Sequence, residues 1–319
     1  MAVTFFFVLS GFSLTLGYKD RVLQPEFCYT QYITRRCIKF YPLHWLCLLS
    51  AAIPVFITSF TGKKILLFLL NASLLQTWVP IKEIYFSFNM VSWFLADTMF
   101  FALAFPFLLK VIVKSNSLRK VCIAFFVALI YVTVVLLIPR EQYHAILYIS
   151  PYMRLADFVL GIFLALGYLR MKENRIEIRF LNNKNISFLL FFGLIAMLVL
   201  ESCVLTTEFR RIAPVYWILV SALIMTTSLT DGNGGGKFME NKYIQRLGEL
   251  SFTIFLTHQL ILRYTTLIFN RLRIDDTIIY VILTLVLTIL VSIIVEQFII
   301  KPITQWLTKR IQPSMIVRS

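Results

Sequence analysis

The chain has 319 residues, of which 59% are apolar and only 15% are charged, and its formal net charge is +15. This balance excludes an ordinary soluble globular protein and favours an integral membrane protein, because a bilayer core about 30 Å thick needs roughly 20 apolar residues per helix. The apolar runs are continuous rather than alternating, which argues against a membrane β-barrel and predicts an all-α bundle of transmembrane helices.

Ten apolar segments follow one another along the chain with short connections between them. They cover residues 3–18, 40–60, 64–80, 91–113, 119–138, 155–170, 186–205, 212–230, 249–270 and 277–300. No connection has the length or composition to fold alone, so we expect one integral membrane domain over 1–319 that ends in a basic cytoplasmic tail at 301–319. The run DGNGGG at 231–236 lacks the ending of a phosphate loop and is expected to be a linker.

The placement of lysine and arginine predicts the topology, because cytoplasmic connections retain positive charge. If segment 64–80 does not cross, 21 of the 31 basic residues fall on one side. The chain then has about nine crossings plus one re-entrant or surface helix, with its C-terminus in the cytoplasm and its N-terminus outside the cell membrane. Since an outside N-terminus without a signal peptide is unusual, the charges favour a further helix upstream. The basic residues are spread over many connections, which indicates contact with anionic lipids rather than nucleic acid.

Arg36 and Lys39 lie three residues apart at the start of segment 40–60. Such residues often serve only to set topology, but paired cations at a helix mouth would also suit the phosphates of a cytoplasmic donor such as a coenzyme A thioester. The five cysteines form no CxxC pair, so neither a metal site nor a disulfide framework is indicated.

Three ionisable residues near the predicted outer face are candidates for function. Asp97 lies inside segment 91–113, where an unpaired carboxylate would cost several kcal/mol, so it is expected to have a partner. That partner either makes a structural hydrogen bond from a neighbouring helix or belongs to a functional site. Arg154 and Asp157 are three residues apart on one helical face, which suits either a local salt bridge or an arginine that holds a polar or anionic substrate group.

Two histidines lie within apolar segments. His258 is near the middle of segment 249–270, where it either satisfies a structural hydrogen bond or transfers a proton. His44 is one turn into segment 40–60 and is expected to act only as an anchor at the membrane interface.

Five phrases in chain order resemble the membrane acyltransferase-3 family, the integral enzymes that O-acylate polysaccharides and related envelope glycans. They are FFFVLSGF at 5–12, RCIKFYPL at 36–43, QTWVP at 76–80 with Asn89 and SWFL at 92–95, RLADFVLG at 154–161 and GELSFTIFLTH at 248–258. Lys39 stands where the family has a second arginine, and Asp97 lies near the position of a frequent family glutamate.

The resemblance implies transfer of an acyl group, most simply acetyl from cytoplasmic acetyl-coenzyme A, to a hydroxyl of a polysaccharide at or beyond the outer face. No bound cofactor is expected. Arg36 and Lys39 are then expected to bind the donor, whereas Trp93, Arg154 and Asp157 are expected on the side of the glycan acceptor.

The resemblance also implies a helix before Phe5 that carries an arginine and the family's catalytic histidine. In the sequence as given, His258 is the histidine placed deeply enough to act as the base, with Asp97 as a second catalytic candidate. Two other functions stay open: a transporter or flippase for glycans or lipid-linked precursors, and an inactive homologue within a glycan assembly complex.

Overall fold

A computed structural model describes residues 2–176, 184–205, 211–229 and 240–316. The glycine-rich run at 231–236 and the end of the predicted tail at 317–319 lie outside these residues. All regular structure within the described ranges is helical.

Twelve α-helices are present in the described ranges. They are α1 (Ala2–Leu23), α2 (Tyr29–Thr58), α3 (Gly62–Ala72), α4 (Lys82–Tyr85), α5 (Ser92–Lys114), α6 (Ser117–Leu137), α7 (Pro151–Glu173), α8 (Lys184–Val204), α9 (Pro214–Leu229), α10 (Lys242–Leu272), α11 (Thr277–Ile294) and α12 (Lys301–Ile316). Short π-helical turns at His144–Ile149 and Val295–Ile300 precede α7 and α12. The second turn joins α11 to α12 without a break, so the last predicted segment continues as a helix into the tail.

The predicted transmembrane bundle is confirmed. Seven helical stretches are long and apolar enough to cross a membrane, and two shorter apolar helices at Phe188–Leu200 and Pro214–Leu229 accompany them. In contrast, α3 has 11 residues and spans about 16 Å, which is too short for a bilayer core. The segment predicted at 64–80 is therefore a short helix that ends at Ala72, as expected for a segment that does not cross.

The chain divides into two compact units. Unit 1 comprises Met1–Phe27 and Asp97–Ile244, and unit 2 comprises Cys28–Ala96 and Gln245–Ser319. Two of the boundaries fall inside helices α5 and α10.

In unit 1, helices α1 and α7 run parallel at very short distance. A Cβ atom on Gly161 would lie 2.0 Å from the carbonyl oxygen of Val8, and one on Gly11 would lie 2.1 Å from that of Phe158. Small residues at such crossings let two backbones approach closely, which is how helices associate where lipid gives no hydrophobic driving force. Gly161, the last residue of RLADFVLG, is therefore a packing residue.

In unit 2, helices α2 and α10 also run parallel. Phe40 packs on Phe252 with ring centroids 5.5 Å apart, and the Tyr264 hydroxyl donates to the Ser50 carbonyl oxygen at 2.7 Å. Pro54 has no N–H, so it cannot bond to the carbonyl four residues before it, which is that of Ser50. The Tyr264 hydroxyl replaces this missing helical bond and ties the two helices together.

Both parallel pairs agree with the topology that the basic residues predict. That topology makes α1 and α7 start on one side of the membrane and α2 and α10 on the other. The assignment of the second side to the cytoplasm stays a prediction.

We expect Gly161→Ala to destabilise the protein by about 1–3 kcal/mol, because the new methyl group must displace the α1 backbone. Gly167→Ala is the matched control on the same helix, since a Cβ there would meet nothing within 4 Å. Thermal unfolding in detergent should show a lower Tm for Gly161→Ala and an unchanged or slightly higher Tm for Gly167→Ala. Equal Tm values for the two variants would contradict the close contact.

Candidate functional site

The predicted pairing of Arg154 and Asp157 is present in unit 1. Arg154 Nη1 lies 2.9 Å from Asp157 Oδ2, and the two side chains are 1% and 0% exposed. Both residues lie on α7, three positions apart, so their side chains share one helical face. A buried ion pair needs further hydrogen bonds to offset the loss of hydration, and the surrounding helices supply some of them.

Two residues that are distant in sequence complete this network. Thr4 Oγ1 on α1 accepts a 3.2 Å hydrogen bond from Arg154 Nη1, and Trp217 Nε1 on α9 donates to Asp157 Oδ1 at 2.6 Å. Both carboxylate oxygens of Asp157 are therefore bonded. Neither Thr4 nor Trp217 was identified from the sequence, because no local pattern links them to α7.

The guanidinium of Arg154 lies against two aromatic rings. Its Cζ atom is 5.5 Å from the ring centroid of Phe7 and 5.0 Å from that of Tyr148, distances typical of cation–π contacts. Burial raises the pKa of the Tyr148 hydroxyl, against the opposing effect of Arg154, so this phenol stays neutral near pH 7. Arg154 Nε and Nη2 are buried and have no hydrogen-bond partner among the described residues. These two donors are available to an oxygen atom of a ligand.

An apolar cavity of about 280 Å³ lies in unit 1 between α5, α6 and α7. Its lining includes Ile112, Val127, Tyr131, Met153 and Val159. The Tyr131 hydroxyl is already bonded to the Ala213 amide at 3.0 Å. With mainly aliphatic walls, this space suits an alkyl chain better than a sugar or a phosphate.

Asp97 is fully buried in α5. Trp93, which is 6% exposed, lies four residues earlier on the same face of the helix. Trp93 belongs to unit 2 and Asp97 to unit 1, since the boundary between the units falls between them.

Arg36 and Lys39 lie one turn apart on α2, but their helix begins earlier than the sequence suggested. It starts at Tyr29 rather than near Phe40, so both cations sit within the helix and not at its mouth. Arg36 is half-buried with its Cζ atom 5.2 Å from the Tyr32 ring centroid, whereas Lys39 is exposed. Lys39 can therefore meet a charged group from outside the protein, whereas the Nε and Nη2 atoms of Arg36 are buried.

His258 has a defined tautomer in unit 2. Its Nδ1 atom lies 2.7 Å from the carbonyl oxygen of Phe255. Because a carbonyl oxygen can only accept, Nδ1 carries the proton and Nε2 is the acceptor of the neutral ring. No hydrogen bond to Nε2 is present among the residues that the structure describes, and the side chain is half-buried. The expected structural hydrogen bond is therefore present at Nδ1, and the expected role in proton transfer stays a prediction.

His44 is not the interfacial anchor that its position suggested. It is 1% exposed, and its Nε2 atom donates to the Asn71 carbonyl oxygen at 2.9 Å. The expectation was wrong because α3 folds back against α2 and covers the ring. Asn71 in turn donates from Nδ2 to the Leu67 carbonyl and to Ser87 Oγ, so it is held at several points.

A further group of polar side chains, Gln76, Asn89 and Ser92, forms hydrogen bonds that reach α10. Ser92 Oγ donates to the Asn89 carbonyl at 2.7 Å and accepts from Gln76 Nε2 at 3.2 Å. Asn89 Nδ2 donates to the Leu256 carbonyl at 3.0 Å, two residues before His258. Gln76, Asn89 and Ser92 were identified only as parts of a family phrase, and their hydrogen bonds to one another could not be read from it.

Glu296 was also missed, although a sequence signal existed. It is an acidic residue inside the apolar segment 277–300, and it accepts a 2.6 Å hydrogen bond from Thr253 Oγ1. Thr257 and Ser292 bond one turn further along at 2.8 Å. These contacts join α10 to α11 in antiparallel order, so Glu296 has a structural partner.

Comparisons with known proteins give a consistent result. The family model described as an acyltransferase domain matches residues 1–297. The chain is 26% identical over 287 residues to the acyltransferase MdmB of Streptomyces mycarofaciens, a match that covers 83% of this chain and 68% of that protein. No solved structure matches the chain.

We expect Asp157→Leu to destabilise the protein by about 3–5 kcal/mol, because it leaves the Arg154 charge buried and uncompensated. The double variant Arg154→Met with Asp157→Leu should recover most of that loss, since an apolar pair of similar volume needs no counter-charge. Thermal unfolding of the single and double variants measures the coupling. Additive losses would show that the two side chains do not depend on one another.

Proposed function

Because the chain belongs to the acyltransferase-3 family, we propose that it is a membrane O-acyltransferase that moves an acyl group, most simply acetyl, from cytoplasmic acyl-coenzyme A to a hydroxyl of a cell-envelope or exported polysaccharide. The family match extends over residues 1–297 and includes most of the apolar helices. The geometric observation that supports the proposal is the open Nε2 atom of His258. In this proposal the protein is a multi-pass protein of the cell membrane with a cytoplasmic C-terminus.

His258 is the proposed base. Its Nε2 atom accepts the proton of the acceptor hydroxyl while the hydroxyl oxygen forms a bond to the acyl carbon and the carbon–sulfur bond of the thioester breaks. The proton then passes to the departing coenzyme A thiolate, so the products are an ester and a free thiol. The Phe255 carbonyl keeps Nδ1 protonated and favours the imidazolium that forms between these two transfers.

Arg36 and Lys39 are the proposed site for the donor phosphates. Guanidinium and ammonium groups form charge-assisted hydrogen bonds with phosphate oxygens, and of the two side chains Lys39 is the more exposed. Since α2 and α10 are parallel and meet at Phe40 and Phe252, His258 lies about 9 Å further along the helices than this contact. The pantetheine arm of coenzyme A is longer than that separation, so the thioester can reach the base.

Arg154 and Asp157 are proposed for the acceptor side. The pair has no net charge, so the two open donors of Arg154 suit a neutral hydroxyl or carbonyl oxygen better than a phosphate.

We also assign Trp93 to the acceptor side, and Asp97 to proton transfer as a second catalytic group. Asp97→Asn keeps the shape of the side chain and removes its charge, so full activity in that variant would reduce Asp97 to a structural role.

We expect His258→Asn to lower the rate of acyl transfer by roughly 10²–10⁴-fold. Asparagine can keep a donor at the position of Nδ1 for the Phe255 carbonyl, but it has no basic group near neutral pH. His144→Asn is the control, since this histidine lies in the π-helical turn before α7. Transfer of labelled acetyl from acetyl-coenzyme A to polysaccharide measures both variants, and a wild-type rate for His258→Asn would end its candidacy.

We expect the double variant Arg36→Ala with Lys39→Ala to raise KM for acetyl-coenzyme A by roughly tenfold or more, because each charge-assisted hydrogen bond contributes about 1.5–3 kcal/mol. KM for the polysaccharide should not change. Arg35→Ala is the control, since Arg35 is an exposed cation adjacent in sequence. An unchanged KM for acetyl-coenzyme A would show that the pair only sets topology.

A further inference from the structure

Three buried oxygen atoms within residues 76–89 of unit 2 have no hydrogen-bond partner among the described residues. They are Gln76 Oε1, Thr77 Oγ1 and Asn89 Oδ1. The three side chains are only 0%, 1% and 2% exposed. Buried polar groups of this kind are rare because each has lost its hydration without compensation, and they therefore call for a specific explanation.

The neighbouring hydrogen bonds fix which atoms of the two amides are left over. The hydroxyl of Ser92 has one proton, and its shortest bond, 2.7 Å, donates that proton to the Asn89 carbonyl. It must therefore accept from Gln76, which places Nε2 and not Oε1 of Gln76 at the 3.2 Å contact. Asn89 Nδ2 faces the Leu256 carbonyl, which can only accept. Both orphaned atoms are thus acceptors, and Ser92 bonds to both residues that carry them.

Two strained backbone positions lie in the segment 74–89 that carries these residues. Leu74 and Phe88 have φ angles of 58° and 57°, in the left-handed region that bulky residues rarely adopt. Strain of this kind persists where the surrounding structure holds it in place, and it concentrates at functional sites. The orphaned oxygens and the strained positions are independent observations, and both fall within residues 74–89.

The chemistry of the orphaned atoms defines what they would bind. The two amide oxygens accept and cannot donate, so they suit an O–H or N–H group rather than a carboxylate or phosphate, and the Thr77 hydroxyl can accept from the same group. None of the three residues is charged, so the ligand group needs no charge. Asn89 is bonded to the α10 backbone two residues before His258, which places the cluster at the depth of the proposed base.

We infer that Gln76, Thr77 and Asn89 form a subsite for an uncharged, hydrogen-bond-donating group of a substrate. The inference rests on the proposed function, which supplies two sources of that chemistry: a hydroxyl of the polysaccharide acceptor and an amide N–H of the coenzyme A arm. The competing explanation is an ordered water that satisfies the three oxygens permanently.

Stability measurements on ligand-free protein separate a subsite from a permanent water. Thr77→Val removes an orphaned oxygen with little change of shape, so Tm should stay the same or rise. Gln76→Leu removes the orphaned Oε1 but also the 3.2 Å bond from Nε2 to Ser92, so its Tm should fall, but by less than that of the control. Asn71→Leu is the control, because its amide is bonded to Leu67 and Ser87 and its loss should lower Tm. A fall in Tm for both Gln76→Leu and Thr77→Val as large as that of Asn71→Leu would overturn the inference.

Kinetics then identify the substrate group that binds. Radiolabelled acetyl-coenzyme A and envelope polysaccharide from a host strain that lacks this protein serve as probes. Gln76→Leu and Thr77→Val should each raise one KM by roughly tenfold, equivalent to one lost hydrogen bond of about 1.4 kcal/mol. A higher KM for polysaccharide assigns the subsite to the acceptor, and a higher KM for acetyl-coenzyme A assigns it to the donor arm.

Thr284→Val is the matched kinetic control. Thr284 Oγ1 on α11 is also buried without a partner among the described residues, but it lies outside the cluster. Its removal should leave both KM values unchanged. Wild-type KM values in the Gln76 and Thr77 variants would overturn the inference. If wild-type protein transfers no label at all, the proposed function is what fails, and the Tm comparison still decides between a subsite and a permanent water.

Discussion

The close contact of α1 with α7 is the constraint on which the polar network of unit 1 depends. Gly11 and Gly161 have no side chains, so the two backbones meet where any Cβ would collide with a carbonyl oxygen. Because the helices are this close, Thr4 reaches Arg154 across the interface. Arg154 and Gly161 are seven residues apart, about two turns, so packing and charge lie on the same face of α7.

Unit 2 is held together by polar bonds between helices rather than by glycine contacts. Lipid chains are as apolar as leucine, so burial alone gives membrane helices little reason to associate, and hydrogen bonds carry more of the specificity. The Tyr264 hydroxyl on the Ser50 carbonyl fixes α10 against α2, and the Thr253 bond to Glu296 fixes it against the π-helical turn that follows α11. His258 therefore lies on a helix whose position is set from two sides.

The sequence predicted the number and type of the helices better than their ends or their contacts. Continuous apolar runs identify membrane helices directly, but the first turns of α2, from Tyr29 to Lys39, are polar, so hydropathy placed its start near Phe40. The spacing of Arg154 and Asp157 predicted their pairing because both lie on one helix. Thr4 and Trp217 are 150 and 60 residues away from their partners, and only the folded chain brings them together. The expectation for His44 was wrong for the same reason, since the burial of its ring depends on α3.

The bonds to α10 have a mechanical consequence. Phe255 and Leu256 are neighbours in the chain, and their carbonyl oxygens hold the His258 ring and the Asn89 amide respectively. Two adjacent peptide units thus fix the orientation of the His258 ring and the position of Asn89, which belongs to the cluster with Gln76 and Thr77. A local unwinding or a one-residue slip of this helix would displace both together, so neither can be adjusted without the other.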